Sequence, residues 1–299
     1  MVVNRPVISV IIVSWNVRES VSRCLDSVFA AAYPRLEVIV VDNASTDGSV
    51  QMIKDKFKNV KLISNTENSG FPKAVNRGIF AAVGDYYLVL NPDTRIPRHF
   101  FDFVLEYART NPDLGVLGPR FKNPDGSLQG SVFPEPSVSD TIREYWFGQQ
   151  GLTAKFTPDS DSPVTVNAVS GGCMFIPKST FTRIGTFTES VFMYYEDLDY
   201  CRRIRNSGLQ VIFHPGISII HKHGMSSGKS SQGKYRNFIE SIIYPFRKLL
   251  KLPNRIQSFQ RYQTESGVWY NGWLKHTLIA GIIWTSRKWP AIFHRKVQN

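Results

Sequence analysis

The sequence predicts an α/β protein built on a mainly parallel central sheet flanked by helices, with a basic helical extension at its C-terminal end. Three observations point to this architecture. Short β-branched runs alternate with segments of helical period through the first 90 residues. Polar residues gather where those runs end. The net charge of +12 is segregated: residues 226–299 hold 13 Lys and Arg against two acids, Glu240 and Glu265, whereas residues 1–225 are nearly balanced. The charge step marks a boundary near residue 225.

Val7–Val13 is a β-branched run broken only by Ser9, as expected of a strand covered on both faces. Arg5 before it gives a superficial likeness to a signal peptide, but no small-residue cleavage site follows, so a buried first strand is the reading adopted. From Val17 to Ala32, Val17, Val21, Cys24, Leu25, Val28 and Phe29 fall at helical spacing. Leu36–Val41 reads as a second strand ending on Asp42, after which Ser45 or Thr46 can cap a helix carrying Val50, Ile53 and Phe57 inward. Val60–Ile63 is a third strand, Phe71–Val83 a helix, and Tyr86–Leu90 a fourth strand ending at Asn91-Pro92-Asp93. Beyond it, Pro97–Thr110 reads as a helix and Leu114–Gly118 as a strand. Ser127–Asp161 is rich in Pro, Ser and aromatics without a clean period, the character of a substrate-covering loop. Regular structure returns with Val166–Ile176, broken at Gly171-Gly172, then a helix Glu196–Asn206 and two strands, Gln210–Phe213 and Ile217–Ile220.

Three strands end in polar residues: Ser14, Trp15 and Asn16; Asp42 and Asn43; Asn91 and Asp93. Ligands of open α/β sheets bind outside the carboxyl ends of the strands, so these ends point to one pocket. Asp42 can accept a hydrogen bond from a base or ribose hydroxyl, while Asp47 serves ligand contact or helix capping equally well. Asp93 offers a hard oxygen ligand that can hold Mg²⁺ or Mn²⁺ against a diphosphate. Glu196, Asp197 and Asp199 open a helix whose dipole favours acids there. Three acids in four residues exceed what capping requires, so a carboxylate at this point is a candidate general base toward an acceptor hydroxyl. His221 and His223 follow a strand, and beside a divalent-metal site the first becomes a candidate ligand.

Several function classes are disfavoured. Cys24, Cys173 and Cys201 fit neither a disulfide framework nor a zinc site, which suggests a reducing, cytoplasmic setting. No apolar stretch reaches the ~18–20 residues of a spanning helix. No Gly-x-Gly-x-x-Gly follows the first strand, which argues against a dinucleotide-dependent oxidoreductase.

Taken in order, Ser-Val-Ile-Ile-Val-Ser-Trp-Asn, Val-Asp-Asn-Ala-Ser-Thr-Asp-Gly-Ser, Asn-Ser-Gly-Phe-Pro-Lys-Ala-Val-Asn-Arg-Gly, Leu-Asn-Pro-Asp-Thr, Ser-Gly-Gly-Cys-Met-Phe-Ile, Tyr-Tyr-Glu-Asp-Leu-Asp-Tyr-Cys-Arg-Arg and Pro-Gly-Ile-Ser-Ile-Ile-His resemble the family 2 glycosyltransferases of the GT-A fold. Each motif is weak singly, and the ordered set across residues 6–223 is specific. The Asn-Pro-Asp and Glu-Asp-Leu-Asp forms look most like the rhamnosyltransferase-type members. The resemblance implies a nucleotide-binding half over residues 1–95 and an acceptor and catalytic half over residues 96–225. It implies that Trp15 and Asp42 line the nucleobase pocket with Ser14, Asn16, Asn68, Lys73 and Asn91 around the nucleotide. Asp93, the last position of a DXD-type motif, would bind Mg²⁺ or Mn²⁺ and His221 would complete the site. Asp197 would be the catalytic base, beside Glu196. Asn91 stands where the motif usually has an acid, which brings no charge to the metal. The Gln-x-x-Arg-Trp signature of processive synthases is absent.

The implied activity is an inverting, metal-dependent, single-addition transfer from a nucleoside-diphosphate sugar, with dTDP-rhamnose among the donors suggested. The acceptor would be a glycan or polyprenyl-linked glycan of cell-envelope polysaccharide synthesis. A non-catalytic nucleotide-sugar binder or scaffold is the alternative, which the intact Glu196-Asp197 pair disfavours. The extension over residues 226–299 combines its bases with Trp269, Trp273, Trp284 and Trp289. This composition suits an anionic membrane surface, where indoles settle at the interface and each base contributes ~1 kcal/mol. The expectation is a cytoplasmic protein bound peripherally at the inner face of the membrane. Nucleic acid is disfavoured because no recognition motif accompanies the bases.

Overall fold

The computed structural model describes residues 5–134, 143 and 154–222. Strand β1 (Ile8–Ser14) is buried at every position, Ser9 and Ser14 included, as expected of a largely apolar strand covered on both faces. It pairs in parallel with β2 (Leu36–Asp42) on one side and β4 (Tyr86–Leu90) on the other, and β3 (Val60–Ser64) extends the sheet beyond β2. Helices α1 (Arg18–Ala30), α2 (Ser49–Lys56) and α3 (Phe71–Phe80) alternate with these strands.

The second half adds β5 (Thr94–Arg95), α4 (Phe100–Thr110), β6 (Leu114–Lys122), β7 (Leu128–Gln129), β8 (Val132–Phe133), β9 (Val164–Thr165), β10 (Ala168–Val169), β11 (Cys173–Pro177), α5 (Lys178–Ile184), α6 (Glu196–Asn206) and β12 (Gln210–His221). Among the described residues the main sheet runs β3-β2-β1-β4-β11-β6-β12-β5. It is parallel from β3 to β4, and β11 then lies antiparallel to both β4 and β6 while β12 runs parallel to β6. The α/β expectation holds, with the parallel character concentrated in the first half. The short pair β8 and β10 sits apart from the main sheet.

The period-2 alternation of β1 divides the core between the two faces. Ile8, Val10 and Ile12 pack with Val21, Leu25 and Val28 of α1 and with Phe100, Phe101 and Val104 of α4. Ile11 and Val13 pack on the other side with Ala74, Val75 and Ile79 of α3 and with Tyr200, Cys201 and Ile204 of α6. Helices α3 and α6 therefore share a face, which sets the N-terminal end of α6 beside the segment leading into α3.

Some boundaries differ from the sequence reading. Gln210–His221 is one strand rather than two, because the ladder to β6 shifts register between His214 and Ser218 and then resumes. Pro215, which has no N–H to give, lies inside that bulge. Helix α3 ends at Phe80, short of Val83, and β6 continues past Gly118 to Lys122. Neither Ser45 nor Thr46 caps α2. Instead Asp47 Oδ1 accepts from Ser49 N at 3.0 Å, and its Oδ2 accepts from Arg18 N at 2.8 Å, so one carboxylate serves the first turns of α1 and α2. Capping is thus the role the structure gives Asp47. His223, the boundary near residue 225, the extension over residues 226–299 and residues 135–142 and 144–153 of the aperiodic segment lie outside the described residues. Among the described residues, no helix is long and apolar enough to cross a membrane.

All three cysteines are free and buried. Burial pushes the Cys24 and Cys201 thiols up to about 12 and raises Cys173 as well. We expect the native protein to react with a thiol reagent such as DTNB only as fast as it opens, with full reaction on denaturation. Rapid labelling of any thiol under native conditions would contradict the packing around it.

Candidate active site

The ends of the parallel strands open onto one cavity. Trp15 follows β1, Asn43 follows β2, and Asn91 and Asp93 follow β4. Opposite them, Ser170, Gly171 and Gly172 precede β11, Glu196 and Asp197 open α6, and His221 ends β12. Residues separated by more than 200 positions are thus joined by the sheet order alone.

Asp197 is buried and held by backbone donors. Its Oδ2 accepts from Gly171 N and its Oδ1 from Leu198 N, each at 2.9 Å. It stands in the first turn of α6, a position where acids suit the helix dipole. The run into α6 is constrained from both sides. Tyr194 and Tyr195 both take positive φ, 71° and 69°, a conformation disfavoured by ~1–2 kcal/mol per residue for a side chain with a Cβ. The strain is offset by anchors on α3. Asn76 Nδ2 donates to Phe187 O and Asn76 Oδ1 accepts from Phe187 N, both at 2.9 Å. Phe71 N donates to Phe192 O at 2.8 Å. Gly70, at φ 87°, makes this approach possible: a Cβ there would lie 2.4 Å from Phe192 O. Asp199 has a separate task. It is buried, pairs with Arg203 at 3.0 Å and accepts from Thr188 Oγ1 at 2.5 Å. Of the three acids that open α6, two face the cavity and the third ties the helix to the preceding segment.

Asp93 and His221 face each other across 3.3 Å, from Oδ1 to Nε2, with both side chains almost wholly buried. Strand pairing sets this contact, since β5 and β12 place His221 opposite Thr94 and Lys222 N donates to Asp93 O at 2.9 Å. The ring's other nitrogen is fixed by Gln129. Gln129 Nε2 donates to Asn123 Oδ1 at 2.9 Å and toward His221 O at 3.4 Å, which turns its Oε1 to His221 Nδ1 at 2.6 Å. Nδ1 must therefore be the donor. In the neutral ring, Nε2 then presents a lone pair to a carboxylate oxygen that accepts no hydrogen bond from the described residues. Two lone pairs at this separation call for a proton or a cation between them. One carboxylate plus one imidazole, oriented by an amide behind it, fits a divalent ion. Among the described residues, no cluster of three or more His, Cys, Asp or Glu side chains could hold a metal by itself. The remaining ligands would come from water and phosphate oxygens, the habit of ions bound through one or two carboxylates.

The structure brings Trp15, Asn68, Asn91, Asp93, Glu196, Asp197 and His221 to this cavity. Ser14 and Asp42 pair in register at the buried ends of β1 and β2, and Asp42 Oδ2 accepts from Ser45 N at 2.8 Å. Asn16 stitches two loops together, its Oδ1 accepting from Thr46 N at 2.7 Å and its own N donating to Ser45 Oγ at 2.9 Å. Lys73 lines a second, open cavity with Asn65, Arg77 and Glu189. Residues the sequence reading did not single out are Gln129, Lys155 and Ser170. Gln129 and Lys155 lie in the stretch without a period, so no pattern marked them.

The chain matches the family model described as glycosyl transferase family 2 over residues 9–177. It is 30% identical over 243 residues to the N-acetylglucosaminyl-diphospho-decaprenol L-rhamnosyltransferase of Mycobacterium tuberculosis, covering 75% of this chain and 78% of that protein. A low-salt glycan biosynthesis hexosyltransferase of Haloferax volcanii is 26% identical over 275 residues, 89% of this chain and 83% of that one. Among solved structures, a mannosyltransferase of Pyrobaculum calidifontis in complex with GDP-Man and Mn²⁺ superposes with a TM-score of 0.58 at 19% identity. That alignment covers 84% of this chain and 66% of the neighbour, and it speaks to the fold alone.

Proposed function

Because this chain belongs to glycosyl transferase family 2 and is a glycosyltransferase, we propose that it adds one sugar, with inversion, from a nucleoside-diphosphate donor to a hydroxyl of a lipid-linked glycan. The observation that carries this reading is the presence of two chemically distinct groups in one cavity: the backbone-held carboxylate of Asp197 and the Asp93–His221 pair. The named activity of the mycobacterial relative supports an N-acetylglucosaminyl-diphospho-polyprenol as acceptor and rhamnose as the sugar moved.

In the proposed mechanism, Asp197 accepts the proton of the acceptor hydroxyl as that oxygen bonds to the anomeric carbon. The bond from the anomeric carbon to the β-phosphate oxygen breaks in the same step, and its electron pair leaves with the nucleoside diphosphate. A single displacement inverts the anomeric configuration. Asp93 and His221 would hold Mg²⁺ or Mn²⁺, which supplies positive charge against the departing diphosphate. Glu196 and Asp197 are buried, so the base is shielded from bulk water. Titration with dTDP-rhamnose, UDP-galactose, UDP-glucose, UDP-N-acetylglucosamine and GDP-mannose tests donor choice. Tight binding of dTDP-rhamnose alone supports the rhamnosyl reading, and preference for another donor sinks it.

Gln129 supplies a test of the metal assignment that needs no turnover. Replacing it with alanine leaves His221 free to turn and to change tautomer, so Mn²⁺ affinity in the presence of dTDP should fall by about 10- to 100-fold. Free Mn²⁺ followed by electron paramagnetic resonance measures this directly. An unchanged affinity would mean that His221 does not ligate.

The surplus charge of residues 226–299 supports recruitment to an anionic membrane surface, where a polyprenyl acceptor resides.

A further inference from the structure

Lys155 is the single lysine or arginine among the described residues lining the cavity, which also holds Asp93, Glu196 and Asp197. A diphosphate entering a cavity lined by three carboxylates is repelled unless cations compensate, and the repulsion strengthens as water is displaced. Resting on the transferase reading above, we propose that Lys155 is a phosphate-binding residue of this site, its ammonium contacting a diphosphate oxygen of a substrate.

Its placement is built rather than incidental. The Lys155 backbone passes so close to Gly130 that a Cβ there would meet the Lys155 carbonyl carbon and oxygen at 2.6 Å. Phe156 is bridged to Val132, with Phe156 N donating to Val132 O at 2.9 Å and Val132 N to Phe156 O at 3.0 Å. The side chain is steered by Ser170, whose Oγ accepts from Lys155 Nζ at 2.8 Å, and by the Phe133 ring, 4.6 Å from Nζ to the centroid. Ser170 is itself fixed, since Ser170 N donates to Ser131 O at 2.8 Å. An ammonium has three N–H donors. Only the one to Ser170 meets a hydrogen-bond acceptor among the described residues, and Lys155 pairs directly with none of the cavity carboxylates. The remaining donors are available to a ligand. Burial pushes the Lys155 pKa below the usual lysine range, while the charges of Asp197, Glu196 and Asp93 draw it back up. An anionic ligand adds to that upward pull.

Two sources can supply the phosphate: the donor nucleotide or a diphosphate-linked lipid acceptor. Full-length wild type, Lys155→Met and Lys155→Gln, with equal Tm as the check on folding, are titrated with inorganic pyrophosphate, with dTDP and UDP against thymidine and uridine, and with a short prenyl-diphospho-N-acetylglucosamine against octyl N-acetylglucosaminide. Losing a charge-assisted hydrogen bond should weaken pyrophosphate and at least one diphosphate ligand by about 10- to 100-fold, with the phosphate-free partners unchanged. Loss on dTDP and UDP assigns the donor, and loss on the prenyl diphosphate assigns the acceptor. Lys155→Arg should retain binding. Unchanged phosphate affinities in the folded variants, or equal losses for the phosphate-free probes, would overturn the proposal. None of these titrations requires turnover, so a failure of sugar transfer in the wild type would be seen separately.

Discussion

Asp197→Asn is expected to lower kcat by about 10²- to 10⁴-fold, the range that a positioned general base contributes. The substitution keeps the shape but leaves one acceptor oxygen where the carboxylate offers two, so it can accept from Gly171 N or from Leu198 N, each now donating at 2.9 Å, and not from both. It also removes the capacity to take a proton. Donor affinity should stay within about twofold, because a group that acts on the acceptor hydroxyl contributes to the transition state and not to nucleotide binding. A fall in kcat with an unchanged donor Kd is therefore the signature sought in single-turnover assays. If donor binding and turnover fell together, Asp197 would be organising the cavity instead of moving a proton. Near-normal turnover would remove it from the base role.

Asp93→Ala should have an effect of similar size by a different route. Without the carboxylate, His221 Nε2 loses the partner it faces at 3.3 Å, and a divalent ion keeps only one protein ligand of the pair. Charge stabilisation by a bound ion is worth several kcal/mol, which is about two to three orders of magnitude in rate. EDTA should suppress the wild-type enzyme to the same level, and added ion should restore the wild type but not the variant. The donor set also ranks the ions. An imidazole nitrogen beside one carboxylate suits Mn²⁺ better than Mg²⁺, which prefers oxygen ligands and sheds water reluctantly. Full activity in chelator would contradict the role of Asp93 and His221 as ion ligands.

Much of the fold was legible in the sequence because its signals are local. The β-branched run of β1, the helical spacing of α1 and the polar ends of β1, β2 and β4 each lie within one short segment. What the sequence did not carry is pairing over distance. Gln129 lies 92 positions from His221, and their hydrogen bond follows from β7 and β12 both pairing with β6. Lys155 reaches the cavity through Gly130 and Ser170, neither of which stands in a period with it. The bulge in β12 looked like a strand end because Pro215-Gly216 ordinarily terminates a strand, and only the resumed ladder to β6 shows otherwise. Asp47 read equally well as ligand contact or cap, and its hydrogen bonds to Arg18 N and Ser49 N decide for the cap. Tyr194 and Tyr195 carried no sign of positive φ, since aromatic residues rarely adopt it.

The most direct test of a single-addition transferase with Asp197 as its base is mass spectrometry of a prenyl-diphospho-N-acetylglucosamine acceptor incubated with the donor selected by titration and Mn²⁺. Wild type should yield one product, heavier by a single sugar residue, and nuclear magnetic resonance of that product should show the anomeric configuration opposite to the donor's. Asp197→Asn should form that product about 10²- to 10⁴-fold more slowly while still binding the donor. A ladder of additions, a retained configuration, or product formed at the wild-type rate by the Asp197→Asn variant would contradict the account.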